Sequence, residues 1–469
     1  MWFRQDLRLA DNPALTAACE RGEIFPVYIL DDVAAGAWKM GGASRWWLHH
    51  ALEDLNSSLD GNLNLFKGDA SKVLPDLAAK IGASAIYWNR CYEPWRISRD
   101  AEIKIVMKEH GLDVKSFCGS LLWEPWEVLK KDLTPYKVYT PYYRRGCLSL
   151  PSPRRPLSAP KNIQKCEKSK HSLTLEELYL KPIIKWDEKI TNRWTVSEQA
   201  AHQRLDEFVL DELQDYRDGR NFPDKANVSR LSPYLHFGQI SPNTAWYRAL
   251  DASALIANEK SLDTFLSELG WREFSYYLLY HFPHLPHKNL QSKFDAFPWP
   301  ETQASILRLW KSGKTGYPLV DAGMRELYST GYMHNRVRMV VGSFLVKNLL
   351  IHWHEGESWF WDCLVDADLA SNSAGWQWIA GCGADAAPYF RIFNPITQSE
   401  KFDKQGNYIR RYVPELANMP DKFIHAPWLA PEHILKEAGI EIDVNYPAPV
   451  VDIKMSRALA LEAFAQTKT

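Results

Sequence analysis

The sequence predicts an α/β N-terminal domain on a parallel sheet, followed by a larger all-α C-terminal domain. Three observations carry this. Short β-rich runs alternate with amphipathic stretches up to about residue 120, prolines and lysines crowd residues from about 130 to 200, and helical periodicity dominates from about 201 onward. The expected divisions are 1–128, a connector over 129–200, and 201–469.

The strand candidates are Ile24–Leu30, Leu63–Lys67, Ala85–Asn89 and Val114–Phe117. Between the first two, Ser44–Leu59 reads as a helix with Trp47, Leu48, Leu52, Leu55 and Leu59 on one face. Strand and helix in alternation give parallel pairing with helices on both sides of the sheet. No GxGxxG follows a strand, so a dinucleotide fingerprint is absent. In the connector, Pro141, Pro151, Pro153, Pro156, Pro160 and Pro182 break helices, and KNIQKCEKSKHS suits a surface segment. Beyond it, Leu205, Phe208, Val209, Leu213 and Tyr216 share one helical face. Asp321 suits the cap of a helix stopping near Gly331, and a further helix is expected from about Met333 to Ile351.

Composition excludes several classes. The chain has 469 residues, 46% hydrophobic and 24% charged, without an apolar run long enough to span a bilayer. It opens without a basic segment and hydrophobic core, so no secretory signal is read. Seven scattered cysteines without a CxxC pair fit reduced thiols and a cytoplasmic setting. A net charge of -1 confines any nucleic-acid contact to a local patch. Twenty tryptophans are the outlier, and most serve as core anchors.

Chemistry concentrates between Gly316 and Pro395. There Asp366, Asp368, Asn335, Asn372 and Arg338 stand within helical, tryptophan-rich sequence. Buried polar groups need partners, so this density suggests a cavity around a flat, polar-rimmed cofactor rather than a plain core. Arg338, in otherwise apolar MVVGSFLV surroundings, wants a carboxylate. A solvated acidic turn is the competing account of Asp366 and Asp368. In ANVSRLSP, Ser229, Arg230 and Ser232 before helical sequence suit phosphate oxygens, and ordinary N-capping accounts for them as well. Glu268, Trp271 and Arg272 stand one turn apart, either facing a base or forming an amphipathic surface with an ion pair. Trp299, Trp353 and Trp376 lie too far apart in sequence to align from spacing alone. Prolines interleave His281, His284 and His287, and no metal site is read there or elsewhere. The basic runs Arg144–Arg145, Arg154–Arg155 and 161–170 read as solvated loops.

WFRQDLRLADNPAL, GKTGYPLVDAGMREL, TGYMHNRVRM, DADLASNSAGWQW and RIFNP together resemble the photolyase/cryptochrome family, across essentially the whole chain. The resemblance implies a Rossmann-like antenna domain followed by a helical domain that holds FAD. MHNRVRM, with Asn335 and Met339, and Asn372 at the position facing the flavin ring, resemble the class I cyclobutane pyrimidine dimer branch rather than the (6-4) branch. The sequence ends about 60 residues past Tyr408, short of the tail expected of many signalling cryptochromes, and it begins at the motif itself, which suggests an upstream start.

By position, the resemblance implies FAD contacts at Tyr216, Val228, Ser229, Arg230, Leu231, Ser232, Arg272, Asn335, Arg338, Asp366, Asp368 and Asn372. Val228 departs from the family's usual threonine, removing one phosphate hydroxyl. Lesion contacts fall at Arg220, Glu268, Trp271, Asn335, Arg336, Met339 and Trp378, and a photoreduction chain at Trp376, Trp353 and Trp299. Glu268 and Asn372 are the catalytic candidates beside that chain. The implied activity is light-driven repair of dimer-containing DNA, double- or single-stranded, by a monomer. A second antenna chromophore, methenyltetrahydrofolate or 8-hydroxy-deazaflavin, is implied without a choice between them.

Overall fold

The computed structural model describes residues 1–253, 258–385 and 391–467. Two compact units emerge: Met1–Gln214 with Ser229–Pro283 and Val365–Ser371, and Asp215–Val228 with His284–Leu364 and Asn372–Thr469.

In the first unit, strands β1 (Trp2–Phe3), β2 (Val27–Leu30) and β3 (Asn64–Lys67) pair in parallel in that order, and β4 (Ala85–Asn89) pairs in parallel with β5 (Asp113–Phe117). Parallel strands need crossovers. These are α1 (Pro13–Arg21), α2 (Gly42–Ser58), α3 (Ala70–Ile81) and α4 (Pro94–Glu109). Val27, Ile29, Ile86, Trp88, Leu74 and Ile103 form the core between them. Arg4, just past β1, donates to the Asn89 carbonyl of β4 and to Asp100 on α4, so the three-stranded and two-stranded sheets are tied by a buried guanidinium. The face of α2 expected to be apolar is buried, and Trp47 Nε1 donates to Gln239 Oε1 at 2.8 Å.

The expected strand positions agree with the structure, β4 to the residue, and the starts of β2, β3 and β5 differ. β2 starts at Val27 rather than Ile24, which instead bridges in parallel to Lys165. The connector therefore does more than lie on the surface. Leu173 N donates to Leu65 O at 2.9 Å, and Ser172 Oγ accepts from Leu65 N at 3.0 Å, satisfying an edge that would otherwise stay open. The face from Leu205 to Tyr216 is buried as expected, but by α5 (Glu198–Glu207), a π-helical turn over Phe208–Glu212 and a 3₁₀ turn over Leu213–Asp215. The unit also contains α6 (Ser232–Phe237) and α7 (Glu259–His281). Gly238 ends α6 at φ 73°, where a Cβ would stand 2.1 Å from the Gln5 carbonyl oxygen.

The second unit contains α8 (Pro318–Thr330), α9 (Asn335–Ser343), α10 (Trp353–Cys363), α11 (Leu369–Ala380) from Asn372 onward, and α12 (Pro395–Phe402). α8 stops before Gly331 as expected, but Asp321 lies within its first turn rather than at the cap. Its carboxylate accepts from Thr315 N at 2.6 Å, Gly316 N at 3.1 Å and the Tyr446 hydroxyl at 2.9 Å, fastening the incoming loop. The single helix expected from Met333 to Ile351 is α9 followed by a π-helical turn over Phe344–Asn348, with His334 Nδ1 accepting from Arg336 N at 3.2 Å as the cap. No helix among the described residues is long and apolar enough to cross a membrane.

Candidate functional site

In the first unit, α7 supplies Arg272 and Tyr276 one turn apart, and the segment before α11 supplies Asp366 and Asp368. Arg272 Nη1 donates to Ser120 O at 2.8 Å and pairs with Glu273 Oε1 at 3.1 Å. Burial pushes the Glu273 carboxyl up to about 7, against the guanidinium and the Leu122 and Trp123 amides. The Tyr276 hydroxyl donates to Asp368, and His236 Nδ1 lies 3.6 Å from the same carboxylate. Burial alone would raise Asp368, but His236, Tyr276 and Arg272 together hold it well below the usual carboxylate range. Its other oxygen accepts from Ser371 N at 2.7 Å, which starts α11. Asp366 accepts from the Ser232 hydroxyl at 2.6 Å. Upstream, Arg230 adopts φ 53°, a left-handed conformation rare for a non-glycine residue. Ser229 offers its carbonyl to Arg204 Nε at 2.9 Å, and Leu231 is buried.

On the same helix Glu268 and Trp271 are half-buried. The Trp271 indole stacks on Tyr139 with ring centroids 3.7 Å apart and planes 12° from parallel. Gly270 makes room for this, since a Cβ there would lie 2.7 Å from the Tyr143 ring.

In the second unit, Asn372 Nδ2 donates to the Glu357 carbonyl at 3.0 Å. The adjacent Ser373 hydroxyl donates to Glu357 Oε1 at 2.5 Å. Burial pushes the Glu357 carboxyl up to about 8, the Ser373 bond opposing only in part. α10 aligns Trp353, Gly356 and Phe360 on one face. The Trp376 ring lies 4.9 Å from that of Phe360, and a Cβ at Gly356 would come within 2.1 Å of it. Trp353 and Trp299 flank His352, with centroids 5.6 and 4.9 Å away. Sequence spacing could not order these rings. Trp299, His352 and Trp353 follow one another by ring contact, and Trp376 packs on Phe360 and Gly356 of the helix that Trp353 begins.

Asn335, Arg336 and Met339 occupy the less buried side of α9, and Arg336 Nη1 is 3.8 Å from Met339 Sδ. Arg336 donates to Asn221 and lies 4.5 Å above the Phe402 ring. Burial and the nearby Arg220 charge lower its pKa. Arg338 Nε donates to Met333 O at 2.7 Å. Arg220 lies over the ring of the buried Tyr216 at 5.4 Å. Val228 and Trp378 are half-buried. Within the 316–395 stretch, residues 386–390 lie outside the described residues. His281, one of the three proline-spaced histidines, meets the Pro125 carbonyl at 3.0 Å.

Sequence reasoning missed the residues that hold these groups: Tyr276 and His236 on Asp368, Glu357 and Ser373 around Asn372, Tyr139 under Trp271, and Asn221 and Phe402 on Arg336. None stands in a motif of its own. Each unit carries donors of the kind a dinucleotide flavin takes: in the first, hydroxyls and guanidinia suit phosphate oxygens and carboxylates suit hydroxyls or an amine, and in the second an amide suits a ring edge. Trp376 Nε1 is a buried donor without an acceptor among the described residues, which also fits a site built to receive a further group.

Comparison with known proteins agrees. Residues 1–161 match the DNA photolyase family model, and residues 265–466 match the model of the FAD binding domain of DNA photolyase. The deoxyribodipyrimidine photo-lyase of Agrobacterium fabrum is 47% identical over 100% of this chain and 98% of its own. Cryptochrome-2 of Arabidopsis thaliana is 38% identical over 100% of this chain and 79% of its own. The crystal structure of a class III photolyase from Agrobacterium tumefaciens superposes with a TM-score of 0.95 at 47% identity, covering 100% of this chain and 97% of that one.

Proposed function

This chain belongs to the photolyase/cryptochrome family, and from that premise we propose that it is a light-driven DNA-repair lyase that splits cyclobutane pyrimidine dimers. The observation that carries the reading is Asn372, a neutral amide held in one orientation by the Glu357 carbonyl, at the position the resemblance sets against the flavin ring. Ser229, Arg230 and Ser232 with Arg272 would take the phosphate oxygens, Asp366 and Asp368 the cofactor's hydroxyl and amine groups, and Tyr216, Leu231, Asn335 and Arg338 the remaining contacts. Bound FAD in its fully reduced form would lend, on absorbing blue light, the electron that opens the cyclobutane ring, and would take it back once the two intact pyrimidines are restored, so the reaction is redox-neutral overall.

The protein's own residues do the rest. A dimer weakens pairing and stacking, so extruding it from the duplex is cheap. Trp271, stiffened by its stack on Tyr139, and the half-buried Trp378 wall the extruded bases. Arg220 and Arg336 take flanking phosphates, and the hold of Asn221 and Phe402 fixes where the second guanidinium points. Glu268 hydrogen-bonds the dimer, and Asn335 and Met339 line its edge. Trp299, Trp353 and Trp376 relay electrons inward when the cofactor needs reducing. The Asn335 and Met339 pattern favours the cyclobutane dimer over the (6-4) product. Within that chemistry, 47% identity to a structure described as a class III photolyase favours class III over class I. A second chromophore, folate or deazaflavin, would feed the site with light, and extraction of the pigments identifies it.

One observation favours a second reading, a blue-light receptor: the 38% identity to a plant cryptochrome along the whole chain. Chromatography of a dimer-containing oligonucleotide, incubated lit and unlit with the reduced FAD-loaded protein, decides. Intact thymines recovered only in light support repair, and none in either arm rejects it.

A further inference from the structure

Among the described residues, one group of potential metal ligands plays no part in the chemistry above. His49, His50 and Glu53 follow one another on α2, and one ligand atom from each lies within 4.8 Å of the others. His50 Nδ1 is 3.3 Å from Glu53 Oε2. The two imidazoles stand nearly perpendicular, with centroids 5.2 Å apart. A second observation points to a ligand. His49 is 3% exposed, and its Nδ1 has no hydrogen-bond partner among the described residues, whereas buried polar side-chain atoms are nearly always paired. His50 and Glu53, though not His49, also line a cavity of about 400 Å³ with Trp46, Asp54 and Trp194.

Two nitrogens and one carboxylate oxygen suit a borderline divalent ion rather than calcium or magnesium, which prefer all-oxygen shells. We propose that His49, His50 and Glu53 form a zinc site, with water from the cavity completing the tetrahedron. Bonds of about 2.1 Å set tetrahedral donors roughly 3.4 Å apart, a spacing the His50–Glu53 pair already has. The side chains of His50 and Glu53 are 25% and 64% exposed, so they can turn to close the remaining distance. Consecutive residues on a helix point about 100° apart, which is why His-His-x-x-Glu does not read as a ligand set in sequence. The ion would clip two turns of α2 together and so stabilise the α/β part without touching the light reaction.

The test is calorimetric titration of zinc into the full-length FAD-loaded protein, beside His50→Ala and Glu53→Gln, with cobalt as a spectroscopic probe. Both substitutions are at partly exposed side chains, so both variants keep the fold. One equivalent bound, affinity at least tenfold weaker in each variant, and a cobalt spectrum without thiolate charge transfer are expected. No saturable binding at micromolar zinc, unchanged affinity in either variant, or a thiolate band from the free cysteines would overturn the site.

Discussion

Replacing Glu357 with glutamine isolates what its proton does. The carboxyl is 2% exposed, and burial pushes it from the ordinary 4.5 up to about 8 while the Ser373 bond pulls the other way. On unfolding it reverts to an ordinary acid, so between these values the unfolded chain binds fewer protons than the folded one. The stability it contributes is therefore complete below pH 4.5 and is lost as pH rises through about 8. At about 1.4 kcal/mol per pH unit, the total loss is ~5 kcal/mol, of which ~3 kcal/mol has gone by pH 7. Glutamine keeps the volume and an acceptor for Ser373 but cannot ionise. Urea unfolding of FAD-loaded wild type and Glu357→Gln at pH 5, 6, 7 and 8 should show the variant gaining roughly 3–4 kcal/mol on the wild type across the series. Other titrating groups, Glu273 among them, are common to both proteins and drop out of the difference. Because the Glu357 backbone also holds Asn372, the wild-type flavin spectrum should shift with a midpoint near pH 8 and the variant's should not. Parallel stability curves would refute the argument, since they would mean Glu357 ionises alike folded and unfolded.

Other substitutions probe other parts of the site. Trp271→Ala removes the stacked platform and should weaken binding to dimer-containing DNA by ~1–3 kcal/mol, with little change for undamaged duplex, as read by fluorescence anisotropy. Arg336→Ala should weaken both alike and reduce the slope of log affinity against log salt by ~1. Glu268→Ala should lower repair per absorbed photon more than it lowers DNA affinity, and equal losses would reject its role at the dimer. Gly356→Ala sets a methyl group against Trp376 and should cost ~1–3 kcal/mol in thermal unfolding and slow photoreduction of oxidised flavin.

The sheet was legible wherever strand and turn signals coincided locally. Ala85–Asn89 is bounded by ordinary punctuation and appears as expected. β1 is two residues long, too short to show a period. The bridge from Ile24 to Lys165 joins residues far apart in sequence, and nothing in KNIQKC alternates like a strand. The π-helical turns over Phe208–Glu212 and Phe344–Asn348 shift the helical face by a residue without any Gly or Pro to announce it. In each case tertiary pairing decided what local pattern left open.

For the site, sequence could name the groups but not the charge they carry. Asp368 and Glu357 are both buried acids, 7% and 2% exposed, and composition treats them alike. Their partners separate them. Asp368 receives the Tyr276 hydroxyl and the Ser371 amide, with His236 and Arg272 adding positive charge, which is enough to keep a carboxylate ionised in a poor dielectric. Glu357 has the Ser373 hydroxyl against nearly complete burial, so at neutral pH it keeps its proton. Tyr276 stands in an aromatic run, FSYYLLY, and Ser373 in a run of small residues, and neither context signals such a role. The outcome is a negative charge fixed at Asp368 and withheld at Glu357, beside the amide proposed to face the flavin ring.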